Sequence, residues 1–187
     1  MPTYVMKDIN SDLSPAWANT LFSADIEMSA GVGIDSFRNA SIPSLAIRSF
    51  GIILVNGLPN NDAWEDGGTQ TVELEIAGGG MNITGKCRIV KLSSTGVIIE
   101  SGAFTPTQTM VNDRIFSPVA PTWAGAEACE NRLAIEFEFE NTDTMMAISL
   151  TIGLGTLLSE VITTITENSA GCAVPANLES DSGYEVG

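Results

Sequence analysis

Between residues 131 and 153 the chain reads "NRLAIEFEFENTDTMMAISLTIG", and apolar and polar residues take strict turns through the first half of it. Leu133, Ile135, Phe137 and Phe139 occupy one phase; Ala134, Glu136, Glu138 and Glu140 occupy the other. A period of two belongs to an extended strand, whose successive side chains point to opposite sides. A chain that spends its largest side chains this way must cover one face of a sheet and leave the other in contact with water. With a four-residue turn at 141–144, the register places Glu140 opposite Met145 and Phe139 opposite Met146. Leu133, Ile135, Phe137 and Phe139 then share a face with Met146, Ile148, Leu150 and Ile152. The expectation is a half-buried antiparallel hairpin with the glutamates on its outer face.

The rest of the chain extends this reading. Short β-type runs at about 42–57, 69–77, 83–92, 96–104, 113–119, 131–140, 145–153 and 159–167 are separated by Gly, Asn, Asp and Pro clusters. Eight runs at this spacing predict an all-β fold, a two-sheet antiparallel β-sandwich with a jelly roll ahead of other topologies. In "KLSSTGVIIE" the glycine supplies the positive φ of a tight hairpin. The three glycines of "ELEIAGGGMNITG" read as a turn or bulge, because a phosphate-cradling loop would need a following helix and a Lys with Ser or Thr. The expected organisation is an N-terminal arm at 1–20, a sandwich domain at 21–167 and a C-terminal tail at 168–187. The tail is polar and acidic, so its order is expected to depend on a neighbouring subunit.

Composition excludes several classes of function. Eight basic against 23 acidic residues give a formal charge of −15, which repels phosphate backbones and anionic membranes, so neither nucleic acid nor membrane is an expected partner. The longest uncharged apolar stretch, "TMMAISLTIGLGTLLS", is short and broken by Thr, Ser and Gly, as strands and turns are. The opening residues lack the basic start and apolar core of a secretory leader. The chain contains no histidine, which removes Ser-His-Asp and Cys-His catalysis and every His-ligated metal. Cys87, Cys129 and Cys172 are odd in number and far apart, which disfavours a disulfide framework and a thiolate zinc site. No cofactor is expected.

What remains are surfaces. Glu136, Glu138 and Glu140 stand roughly 7 Å apart along a strand, a separation also found between the carboxylates of inverting glycosidases. Any alternating strand produces it, so a solvated face or one meeting a basic partner is preferred over a catalytic pair. Three of the eight basic residues, Lys86, Arg88 and Lys91, fall in "GKCRIVKL", either as protection of an edge strand or as an electrostatic contact with an acidic neighbour. The loop "LPNNDAWEDGG" offers Asn60, Asn61, Asp62, Glu65 and Asp66 as oxygen ligands for calcium, but with no EF-hand spacing. Trp64 and Trp123 are candidate partner contacts, either stacking on sugar or folding over the end of the core. Asn39 and Asn82 begin glycosylation sequons, which without a leader are expected to be chance.

In style and organisation, from about 42 to 167 and most typically in "RLAIEFEFENTDTMMAISLTIGLGT", the chain resembles jelly-roll decoration or cement proteins of tailed phages. The resemblance implies a virion location, a homo-oligomer, often a trimer, and binding to the major capsid protein or another virion protein between neighbouring capsid subunits. A carbohydrate-binding or adhesin-like sandwich of a tail fibre or surface structure is the alternative.

Overall fold

The computed structural model describes residues 3–11, 13, 17, 19–22, 24–29, 32–54, 68–122, 131–155 and 159–162. Twelve strands lie among them and no helix: β1 (Thr3–Asn10), β2 (Ile26–Ser29), β3 (Ser36–Ile42), β4 (Ile47–Leu54), β5 (Thr71–Gly78) and β6 (Gly80–Leu92), followed by β7 (Ile98–Ser101), β8 (Gln108–Met110), β9 (Arg114–Phe116), β10 (Arg132–Asn141), β11 (Ile148–Leu154) and β12 (Glu160–Ile162). In one layer β3 pairs with β11, β11 with β5 and β5 with β9. In the other, β4 pairs with β10, β10 with β6 and β6 with β7, every pair antiparallel. The connections β3–β4, β5–β6 and β10–β11 all cross between the layers. This is the strand order of a jelly roll, and the all-β two-sheet sandwich expected from the sequence is what the chain forms.

Three further strands join the layers along one side. β12 follows β11 along β5, β1 pairs with β12 and β2, and β2 runs parallel to β4. Thr3–Asn10, read from the sequence as part of an arm, therefore lies hydrogen-bonded on both edges, with Met6 fully buried. Its partners come from residues 26–29 and 160–162, and nothing local announces them. The expected tail at 168–187 lies outside the described residues.

The hairpin expected at 133–152 does not form. β10 takes β4 and β6 as neighbours, and β11 takes β3 and β5, so the two strands belong to opposite layers. The segment between them is a crossing loop held by Asn141. The buried Asn141 Nδ2 donates to the carbonyls of Ile42 and Met146, both at 2.9 Å, and its Oδ1 accepts from Asp143 N. Asp143 Oδ1 in turn accepts from the backbone N–H groups of Met145 and Met146. The expected dry face nevertheless holds: Leu133, Ile135, Phe137, Phe139, Leu150 and Ile152 are fully buried, Ile148 is half-buried, and Met146 alone of that set is exposed, whereas on the face expected to be wet Ala134 and Glu136 are buried as well. Alternation states which side of a strand is dry. It carries no information on which strand lies alongside.

The two layers share one interior. Val72, Leu74 and Ile76 of β5 and Leu150, Ile152 and Leu154 of β11 meet Phe50 of β4, Ile89 of β6 and Phe137 and Phe139 of β10. Phe137 stacks on Phe50 at 5.3 Å and on Phe139 at 5.8 Å, and meets Phe116 edge-on at 5.6 Å. Each such ring contributes about 1.5–3 kcal/mol through burial, with about 0.5–1.5 kcal/mol more from each favourable ring pair. A second, smaller cluster lies on the outside of the β4–β10–β6 layer, where Leu13 and Trp17 cover Ile53, Val90, Leu92 and Ala134. At the hairpin between β6 and β7, Gly96 takes φ +82°, as the sequence predicts for that turn.

Candidate interaction surface

The carboxylate row lies on the outer face of the β4–β10–β6 layer, as alternation requires, yet it is not simply solvated. The register sets Glu136 opposite Arg88 and Glu138 opposite Lys86 across the β10–β6 ladder. Arg88 Nε lies 2.5 Å from Glu136 Oε2, and Lys86 Nζ lies 2.7 Å from Glu138 Oε1. Lys91 pairs with Glu100 of β7 at 2.8 Å. β6 is an interior strand, flanked by β10 on one edge and by β7 and β8 on the other, so edge protection is not the role of its basic residues. Lys86 and Arg88 neutralise the neighbouring acidic row, and Lys91 neutralises Glu100. Phe104 lies under both cations, with Lys86 Nζ and Arg88 Cζ each 4.6 Å from the ring centroid, which holds the ladder in place.

The three glutamates differ in consequence. Glu136 is buried, Glu138 is half-buried and Glu140 is exposed, without an ion pair among the described residues. Beside the last two is a shallow cleft of about 20 Å³, lined by Thr84, Gly85, Lys86, Thr107, Glu138 and Glu140, with room for about one water. Two of the three carboxylates are thus committed to cations.

The other titratable groups are held by the fold. Burial pushes the Asp25 carboxyl above its ordinary value, opposed first by the Gly51 N–H, which donates to Oδ1 at 2.7 Å. Burial likewise pushes the Cys87 thiol far up, leaving a packed thiol with little nucleophilic character. Glu75 is raised by desolvation and by the negative charges of Asp113 and Asp35. No group of three His, Cys, Asp or Glu among the described residues is arranged to hold a metal ion. Trp64, Trp123, the Asn60 to Asp66 loop, Cys129 and Cys172 lie outside the described residues. Asn39 and Asn82 are placed, and their side-chain amides donate to Thr151 Oγ1 and Asp143 Oδ2.

Of the two sequence readings of the basic run, the electrostatic contact with an acidic neighbour is the one that forms, but sequence reasoning missed that the neighbour is the glutamate run of the same chain. A signal for it existed: Lys86 and Arg88 are two apart, as are Glu136 and Glu138, and antiparallel neighbours with matching phase bring such pairs into register. It also missed that large apolar side chains stand exposed at one end of the sandwich, at Leu45, Met81, Met145 and Met146.

No family model matches the chain, and no curated protein does. Among solved structures it is similar to that of the infectious bursal disease virus Gx strain, at 13% identity and a TM-score of 0.40, over 86% of this chain and 41% of that one. It is also similar to the VP2 subviral particle of infectious bursal disease virus, at 10% identity and a TM-score of 0.26, over 82% of this chain and 47% of the other. A third similar structure, of T=1 particles derived from that virus, has 11% identity and a TM-score of 0.24, over 89% of this chain and 50% of that one. The chain thus spans half or less of the length of these three structures.

Proposed function

We propose that this chain is a non-enzymatic structural protein of a virus particle, of the decoration or cement type, which stabilises the particle by binding between neighbouring capsid subunits. The reading is carried by the contrast on its surface: the carboxylate ladder is closed by its own cations, while large apolar side chains are left in water. A jelly roll with this surface works by area and shape, and no bond needs to be made or broken. Acidic charge elsewhere on the chain suits a basic partner surface, and the tail at 168–187 adds contacts that raise avidity.

The test is co-sedimentation of the full chain, and of a chain shortened by residues 171–187, with purified particles stripped of this protein. The full chain is expected to bind, more weakly as salt rises, and the shortened chain less well at every salt. Deleting residues 1–15 is no equivalent test, because it removes β1 and the buried Met6. Failure to bind particles, together with binding to glycans or turnover of a substrate, would overturn the proposal.

A further inference from the structure

The two outer faces of the sandwich are finished differently. On the β4–β10–β6 layer, Glu136 and Glu138 pair with Arg88 and Lys86, the ring of Phe104 lies under both cations, and Leu13 and Trp17 cover the apolar part. On the β3–β11–β5–β9 layer the register aligns Phe37, Gly153 and Glu75 in one row across three strands, and sets Glu73 opposite Ile115. Directly opposed residues of antiparallel strands share a face, and here it is the outer one: Phe37 is 57% exposed and Ile115 60%. Strands lie about 4.8 Å apart, so the backbones of Phe37 and Glu75 are separated by about 10 Å. Gly153 leaves that interval open. A β-carbon built on it would lie 3.0 Å from Glu75 Cδ and 3.1 Å from Oε2, so the carboxyl group lies over the glycine, between its own strand and the one that carries the ring. Carboxylate and ring are thus set out as on the first face, but the cation is missing. The chain does not supply one. All eight of its basic residues are among the described residues, and none forms an ion pair with Glu73 or Glu75. Arg114 of β9 stands opposite Leu74, and its guanidinium donates to the carbonyls of Thr109 and Asp113. Desolvation and the charges of Asp113 and Asp35 meanwhile oppose the ionised form of Glu75.

We propose that the outer face of the β3–β11–β5–β9 layer is the docking face of this protein, and that it takes a lysine- or arginine-bearing segment of another virion protein, whose cation pairs with Glu75 and lies against the ring of Phe37. The inference rests on the assembly role proposed above and names the face that performs it and the chemistry of its partner. Charge complementarity selects the occupant. An acidic partner would be repelled by Glu73, Glu75 and Asp113, and a second copy of this chain, at a formal charge of −15, brings the same deficit of cations. A purely apolar partner would bury the Glu75 carboxylate without compensation, which is costly. A lysine or arginine relieves the uncompensated charge, and its aliphatic stem and cationic head suit an exposed ring beside a carboxylate. The same combination, closed within the chain, already holds the Glu136 and Glu138 ladder over Phe104.

The experiment is an NMR titration of the full chain with a capped tri-arginine peptide, run beside co-sedimentation with purified particles stripped of this protein. The peptide is expected to move the amide signals of Phe37, Gly153 and Glu75 most. Glu75→Gln should weaken both peptide and particle binding about threefold to fivefold, as the loss of one surface ion pair allows. Phe37→Ala should weaken both about twofold to fivefold, as the loss of an exposed cation–ring contact allows. Glu140→Gln makes the same change in net charge at an exposed residue of the other outer face and should leave both almost unchanged, which separates a local site from attraction to an acidic chain as a whole. The melting temperature of Glu75→Gln should stay level or rise, because the repulsion from Asp113 and Asp35 goes with the charge. The proposal is overturned if the largest shifts fall on β10, if Glu75→Gln and Glu140→Gln weaken binding equally, or if particles bind both Glu75→Gln and Phe37→Ala like the native chain; in the last case the assembly role stands. A chain that binds the peptide at these residues but binds no particle would overturn the assembly role, and the virion partner with it.

Discussion

Replacing Gly51 by alanine tests how the outside of the β4–β10–β6 layer is built. A β-carbon at Gly51 would lie 2.4 Å from Cζ2 of Trp17, 2.8 Å from Cε2 and 2.9 Å from Nε1. Ordinary contact begins near 3.4 Å, so the indole would have to retreat by about 1.0 Å, the difference between 3.4 and 2.4. The strand cannot yield instead. Gly51 sits between the buried Phe50 and Ile52, in register with Glu136 of β10, and its N–H is bonded to Asp25. Overpacking of this kind costs about 1–3 kcal/mol. Complete loss of the indole from the surface sets a ceiling of about 4–6 kcal/mol, from the roughly 150–250 Å² that a tryptophan buries. The decisive measurement is a double-mutant cycle by urea denaturation, followed by circular dichroism. Gly51→Ala in the native background should destabilise by about 1–3 kcal/mol. In a Trp17→Ala background the same change should become stabilising by about 0.5–1 kcal/mol, since alanine loses less backbone freedom than glycine in a strand. An equal cost in both backgrounds would show that Trp17 does not seat on Gly51.

Two other outcomes follow from the same packing and hydrogen bonding. Phe137→Ala should cost about 3–5 kcal/mol by chemical denaturation, towards the upper end because the ring touches three other aromatic rings; a loss under about 1.5 kcal/mol would mean that the rings are not packed as described. Asp143 has its carboxyl lowered from 3.8 by the Met145 and Met146 N–H groups, with a smaller contribution from Asn82. A depressed carboxylate contributes stability that is present above its unfolded value and is lost as pH falls through the folded one, so the crossing loop should loosen only below about pH 3.8. Following the Asp143 carboxyl carbon by NMR titration checks the direction, and a midpoint above 3.8 would contradict it.

How much was legible beforehand can be read from β10 and its surroundings. Strict alternation from Leu133 to Glu140 was enough to identify a strand, its dry face and its glutamate face. The turn at Gly96 and the all-β class were equally local, since both depend on backbone preferences within a few residues. Alternation has the same period for every strand, however, so it could not distinguish β11 from β4 and β6 as the neighbours of β10. That choice was made by long-range pairing, with Asn141 satisfying three backbone groups where the chain crosses between layers. The same limit hid β1, whose hydrogen-bonding partners are distant in sequence, and the Arg88–Glu136 and Lys86–Glu138 pairs, which are charge runs in the sequence and a closed ladder only in the fold. Local sequence determined the elements and their dry faces because period and φ preference are properties of a few adjacent residues. Tertiary structure alone decided which elements are neighbours, which charges are neutralised, and that Leu45, Met81, Met145 and Met146 are left exposed, because these depend on the free energy of the whole assembled sandwich.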